Sequence, residues 1–169
     1  MRFLFALIPL LWLNVAVAQQ SKKPEKKVAL GKDQVSELKK AGAEYFKSDN
    51  YKSALPIYKQ LQQNDPNNTE FNYRLGICYL YTNVNKKSAA GFLIKAAEGK
   101  DVPKDVYYYT GRALLILEET DDAADAFEKF KIAHGGKVNA KLNLENNVEW
   151  CYHFRDMKKT PVAVNFTNL

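Results

Sequence analysis

His134 and His153 are the two histidines of the 169-residue chain, and imidazole is the side chain best suited to proton transfer or metal binding near neutral pH. They lie nineteen residues apart, one before a Gly-Gly pair and one in a helical stretch, and neither belongs to a zinc-ligand pattern. Both read as structural. Glu145 with Glu149, and Asp121 with Asp125, are carboxylates one helical turn apart, the raw material of acid–base catalysis. With no pocket or polar partner attached, they read as solvated helix faces. No Gly-rich phosphate loop, Gly-x-Ser-x-Gly elbow or Cys–His pairing occurs. The two cysteines, Cys78 and Cys151, read as small buried apolar residues rather than as a bridge. The sequence therefore predicts no enzyme, no cofactor and no metal site, with a secreted hydrolase as the weakest alternative.

Charge and hydropathy say where the chain works. "MRFLFALIPLLWLNVAVAQQ" opens on Arg2, runs apolar from Phe3 to Leu13 and ends in Ala16-Val17-Ala18. A basic start, a short apolar run and a small-x-small site form a signal peptide, residues 1–18, cut after Ala18. That reading predicts a periplasmic or secreted product with no membrane span after cleavage. The net charge of +6 is uneven: residues 19–40 hold seven lysines against three carboxylates, a net of +4. Residues 19–33 read as a flexible basic leader, a solvated tail in the preferred reading and an envelope-adhering adaptor in the alternative. Nucleic acid is not an expected partner, because no aromatic–basic recognition motif accompanies the charge.

The strongest pattern is a repeat. Gly42, Gly76 and Gly111 recur at a period of about 34 residues, each followed three places later by Tyr45, Tyr79 or Leu114. Ala54, Ala89 and Ala123 come next, then Tyr58, Leu93 and Phe127 four places on, then Leu61, Ala96 and Phe130. Such spacing builds pairs of antiparallel helices, with the small residues allowing close approach and the others forming one apolar stripe. Ser48-Asp49-Asn50 and Glu119-Thr120-Asp121 supply polar turns and N-caps. Asp65-Pro66 stops the second helix.

This pattern resembles the tetratricopeptide repeat, with Leu38, Gly42, Tyr45, Ala54, Tyr58, Leu61 and Pro66 matching in the first unit. The second unit carries an extra residue in "TNVNKK", and the third has Gly135 at the closing position. The resemblance implies an all-α, right-handed solenoid over residues 34–158. Its repeats span about 35–68, 69–103 and 104–137, and a capping helix over 139–158 places Leu144, Val148, Cys151 and Tyr152 on its packed face. It implies a groove lined by the first helix of each pair, which takes a protein or peptide ligand. Groove positions fall on Lys39, Ala43, Phe46 and Lys47, then Tyr73, Arg74, Ile77 and Tyr81, then Tyr108, Tyr109, Arg112 and Leu115. Tyr and Arg dominate binding hot spots. The Lys/Asn/Arg clamp for terminal carboxylates is matched at Lys39 alone, so that ligand is not expected.

Residues 159–169 switch to alternation at Val162, Val164 and Phe166, which predicts a short strand leading toward another domain. Helical repeats, a Cys-containing cap helix and a Pro-Val-x-Val strand resemble the amino-terminal part of Bacteroidetes envelope proteins. In those proteins a β-propeller and a peptidoglycan-binding domain similar to outer membrane protein A follow, and some members serve type IX secretion and gliding. The expected function is an exported protein–protein interaction scaffold within a cell-envelope assembly, with other envelope proteins as partners.

Overall fold

Residues 29–139 and 142–160 are described by the computed structural model. Seven α-helices follow one another: α1 (Lys32–Lys47), α2 (Tyr51–Asn64), α3 (Thr69–Tyr81), α4 (Ser88–Ala97), α5 (Val106–Ile116), α6 (Thr120–Ala133) and α7 (Leu144–Lys159). Each packs on the next, and α3 also touches α5. The result is an all-α tetratricopeptide-type solenoid of three helix pairs followed by α7, with no strand among the described residues.

The repeat spacing produces the core directly. Ala54, Tyr58 and Leu61 on α2, Ala89, Leu93 and Ala96 on α4, and Ala123, Phe127 and Phe130 on α6 are each at most 1% exposed. Their spacing of four and three residues places each trio on one helix face. The glycines on the facing helices are required by that packing. A Cβ on Gly111 would stand 2.6 Å from Phe127 Cε1, and one on Gly76 would stand 2.6 Å from Leu93 Cγ. A side chain at either position would force the pair apart.

The helix ends follow local chemistry, with exceptions. The Asn50 side chain accepts from the Ser53 amide at 3.2 Å and caps α2. Glu119 occupies the corresponding place before α6, but its side chain makes no cap hydrogen bond, so the expected cap there is absent. The α2 helix ends at Asn64, immediately before Asp65-Pro66. Pro56 lies inside α2 and is exposed; lacking an amide, it leaves the Lys52 carbonyl without its usual helical donor. Asn72 is buried, and its amide donates to the carbonyls of Pro66 at 2.9 Å and Asn68 at 2.8 Å, tying the α2–α3 turn to the core.

Leu144 and Cys151 of α7 are buried and Val148 is half-buried, but Tyr152 is 47% exposed rather than packed. Among the described residues α7 packs chiefly on α6, so its buried stripe is narrow. Trp150 stacks on Phe154 at 5.1 Å along the uncovered side. Cys78 and Cys151 are both free and buried. The signal peptide and most of the leader lie outside the described residues. So does the strand expected over 159–169, apart from Lys159, which closes α7, and Thr160, which caps it.

Candidate partner-binding groove

The first helices of the pairs, α1, α3 and α5, carry the residues assigned to the groove, and aromatic rings join them across the repeats. Phe46 meets Tyr51 edge-on at 5.4 Å, Tyr51 stacks on Tyr81 at 5.0 Å, and Tyr81 meets Tyr109 at 6.3 Å. Tyr109 in turn meets Tyr73 at 6.1 Å and Tyr108 at 5.4 Å. Such edge-to-face and stacked pairs are the favoured geometries for aromatic side chains. The outcome is a continuous ladder from α1 to α5, partly open to solvent, with Tyr81 42% exposed.

Two arginines are set into this ladder. Arg74 Nη1 donates to the Tyr58 hydroxyl at 2.8 Å, and Nη2 lies 3.0 Å from Glu70 Oε1. Its guanidinium also stands 5.2 Å from the Phe46 ring centroid. Glu70 additionally pairs with Lys39 Nζ at 3.6 Å, so three charges of α1 and α3 form one cluster. Arg112 Nη1 donates to the Tyr81 hydroxyl at 2.7 Å, and its guanidinium lies 5.3 Å from that ring. Arg112 forms no ion pair with a described residue.

Burial pushes the phenol of Tyr109 up to about 12 and those of Tyr51 and Tyr73 above the ordinary phenol range. Burial also raises Tyr58 and Tyr81, against the lowering influence of the arginine bonded to each. These hydroxyls stay protonated at neutral pH. Tyr51 spends its proton on Asp49 Oδ1 at 2.6 Å. The hydroxyls of Tyr73 and Tyr109 make no hydrogen bond to a described residue. Two donors, with the Arg112 guanidinium on the same ladder, are therefore left for an incoming group.

Two assigned positions are corrected. Ile77 is 1% exposed and packs in the core between the second and third repeats, so it cannot contact a groove ligand. Tyr108 is 7% exposed, packs on Phe130 at 5.5 Å, and donates its hydroxyl to the Leu142 carbonyl at 3.3 Å. Lys47 is exposed in the last turn of α1, and Lys39 and Phe46 stand as described, at the α1 end of the ladder. Arg74 is held inside the protein's own network rather than turned freely to solvent.

Tyr51, Tyr58 and Glu70 belong to the site although spacing did not assign them to it. Tyr51 and Tyr58 come from the second helix of a pair and reach across to the first. The Glu70–Arg74 pair was visible as an i, i+4 spacing of opposite charges; the reach of Tyr58 had no sequence signal. His134, expected to be structural, places Nε2 3.2 Å from Asp105 Oδ1 and Nδ1 3.0 Å from the Phe130 carbonyl. It ties the start of α5 to the end of α6. Among the described residues no group of three or more His, Cys, Asp or Glu could hold a metal ion, and no helix is long and apolar enough to cross a membrane.

Comparison with known proteins agrees with this architecture. No family model matches the chain, and no curated protein matches it in sequence. Among solved structures, it is similar to the first TPR domain of human RPAP3, with TM-score 0.60 and 18% identity, covering 78% of this chain and 100% of that one. It is also similar to the Sgt2 TPR domain from Aspergillus fumigatus, with TM-score 0.59 and 19% identity over 83% of this chain and 93% of that one. A third is the Yersinia enterocolitica type III secretion chaperone SycD in complex with a peptide of the translocator YopD, with TM-score 0.59 and 15% identity over 74% and 97%. At these identities the likeness establishes the fold: the chain is a tetratricopeptide-repeat solenoid.

Proposed function

We propose that this protein is a non-enzymatic interaction scaffold that binds a peptide or partner-protein segment along the α1–α3–α5 ladder. The observation that carries the reading is the Arg112 guanidinium, bonded to a neutral phenol and to no carboxylate of the described chain, beside the unbonded hydroxyls of Tyr73 and Tyr109. An arginine in such a setting can take a carboxylate bidentately, while the rings offer flat apolar area at low entropic cost. The favoured ligand is a segment mixing acidic and apolar residues. The fold-level likeness to a chaperone in complex with a peptide supports a peptide segment as the class of ligand.

The leading sequence supports an exported location, periplasmic or secreted, and the narrower resemblance supports a place in a cell-envelope assembly linked to type IX secretion, gliding or the peptidoglycan layer. Cell fractionation with amino-terminal sequencing tests the first: a mature chain starting at Gln19 in the periplasm or medium is expected, and an uncleaved cytoplasmic chain overturns it. For binding, cross-linked partners recovered from envelope extract by the native protein are compared with those of Arg112→Ala and of Lys59→Ala with Glu128→Ala. Arg112→Ala should weaken capture by about 2 kcal/mol, as hot-spot truncations do, while the second variant captures normally. Equal recovery by both rejects the groove as the binding surface. Deleting residues 19–32 should leave capture intact; loss of partners on that deletion would favour the basic leader as the adhesive element.

A further inference from the structure

Away from the ladder, α4, α5 and α6 enclose a cleft of about 430 Å³. Its floor is apolar, made by Ala97, Leu114 and Ala126, and Ile94, 40% exposed, stands at its mouth. Three carboxylates, Glu98, Asp122 and Asp125, line it with a single cation, Lys129, a net of −2 on a chain of net +6. None of the three forms an ion pair with a described residue. Asp122 lies in the first turn of α6, where the helix end favours negative charge. Glu98 is at the C-cap of α4, where the helix end disfavours it, and Asp125 lies beyond the reach of either end. Asp125 stands one turn before Lys129 and Glu98 three residues after Lys95, spacings at which opposite charges can pair along a helix, yet neither pair closes to an ion pair.

We propose that this cleft is a second docking site, for a partner segment in which one bulky apolar side chain is bracketed by lysines or arginines. The apolar side chain covers Leu114, Ala126 and Ile94. The flanking cations meet Glu98 on one side and Asp122 and Asp125 on the other, relieving the unfavourable charge at the α4 terminus. Charge complementarity of this kind fixes register and makes binding sensitive to salt. The site is independent of the groove, lies on different helix faces and selects the opposite charge.

Fluorescence anisotropy with a labelled Lys-Lys-Leu-Lys-Lys amide tests it. Saturable binding is expected, weakened about tenfold or more by raising salt to about 0.5 M. The triple variant Glu98→Gln, Asp122→Asn, Asp125→Asn should lose affinity about tenfold or more, and replacing the peptide's Leu with Ser should cost a similar factor. Ile94→Lys, at the exposed mouth and harmless to the core, should abolish binding even if the triple variant folds poorly. Arg112→Ala should bind the peptide normally, so failure of the groove reading and of this one are separable. The proposal is overturned by absence of saturation, by equal binding of the Ser peptide (which would mean diffuse attraction to acidic surface), or by unchanged affinity in Ile94→Lys.

Discussion

Arg74 and Arg112 each donate Nη1 to a tyrosine hydroxyl, at 2.8 and 2.7 Å, and each lies against that tyrosine's ring. Beyond this they diverge. Arg74 has Glu70 at 3.0 Å and the Phe46 ring above it, and Glu70 is itself shared with Lys39. Arg112 has the phenol and the rings alone. The same residue type on the same ladder is thus committed to the fold at one end and left available at the other. A residue favoured at interfaces is informative only once its existing partners are counted.

The largest effect that would sharpen this contrast comes from alkali. Burial pushes the Cys78 thiol, on the helix that also carries Arg74, up to about 12 from an ordinary value of 9.0. The unfolded chain gives up this proton near pH 9 while the folded one keeps it. Stability present below pH 9 is therefore lost as pH climbs to about 12, by roughly 4 kcal/mol for a shift of that size. Tyr109, beside Arg112, adds a later window, from pH 10 to about 12. Urea titrations across this range should show Cys78→Ala delaying the onset by about one pH unit. An identical onset in the variant would mean that the buried Cys78 thiol does not set the alkaline limit of the fold.

Next in size is the direct comparison. Arg74→Ala should cost about 2–3 kcal/mol in urea unfolding, because it strips a charged hydrogen bond from the buried Tyr58 hydroxyl and the ion pair from Glu70. Arg112→Ala should cost about 1 kcal/mol or less, since its bond to Tyr81 is exposed. Equal costs would break the comparison outright. Tyr58→Phe isolates one arm of the first network, and an intermediate loss of about 1–1.5 kcal/mol is expected. Smallest is Tyr51→Phe, which removes the bond to Asp49 at 2.6 Å on an exposed turn; about 0.5 kcal/mol is expected by thermal denaturation.

The architecture was readable because a repeat states the same constraint three times. Gly42 with Tyr58, Gly76 with Leu93 and Gly111 with Phe127 each announce one close helix pair, and all three are in contact as required. The groove was readable only in part. Ile77 and Arg112 each directly follow the repeat glycine, so spacing gives them one face. Yet α3 is packed by α2 and α4 and touched by α5, which buries most of its circumference, including Ile77. Position within the array, not within the repeat, decides exposure. Tyr152 fails in the reverse sense: α7 packs chiefly on one neighbour among the described residues, so a position expected to pack is left outside. Partners supplied by another helix, as Tyr58 is to Arg74, leave no mark in local spacing.

The glycine contacts also say what can be recombined. Gly42 abuts Ile57 and Tyr58, Gly76 abuts Leu93, Gly111 abuts Phe127, and Gly99, just after α4, abuts Thr69 at the start of α3. All four tight fits lie inside a helix pair and none between pairs. A duplication or deletion whose breakpoints fall in the loops around residues 65–68 or 100–105 would carry each glycine with its own matched side chain. One that cuts between α3 and α4, or between α5 and α6, would set a glycine against a stranger's bulk or against a void. The helix pair, rather than the single helix, is the unit in which this chain could have grown.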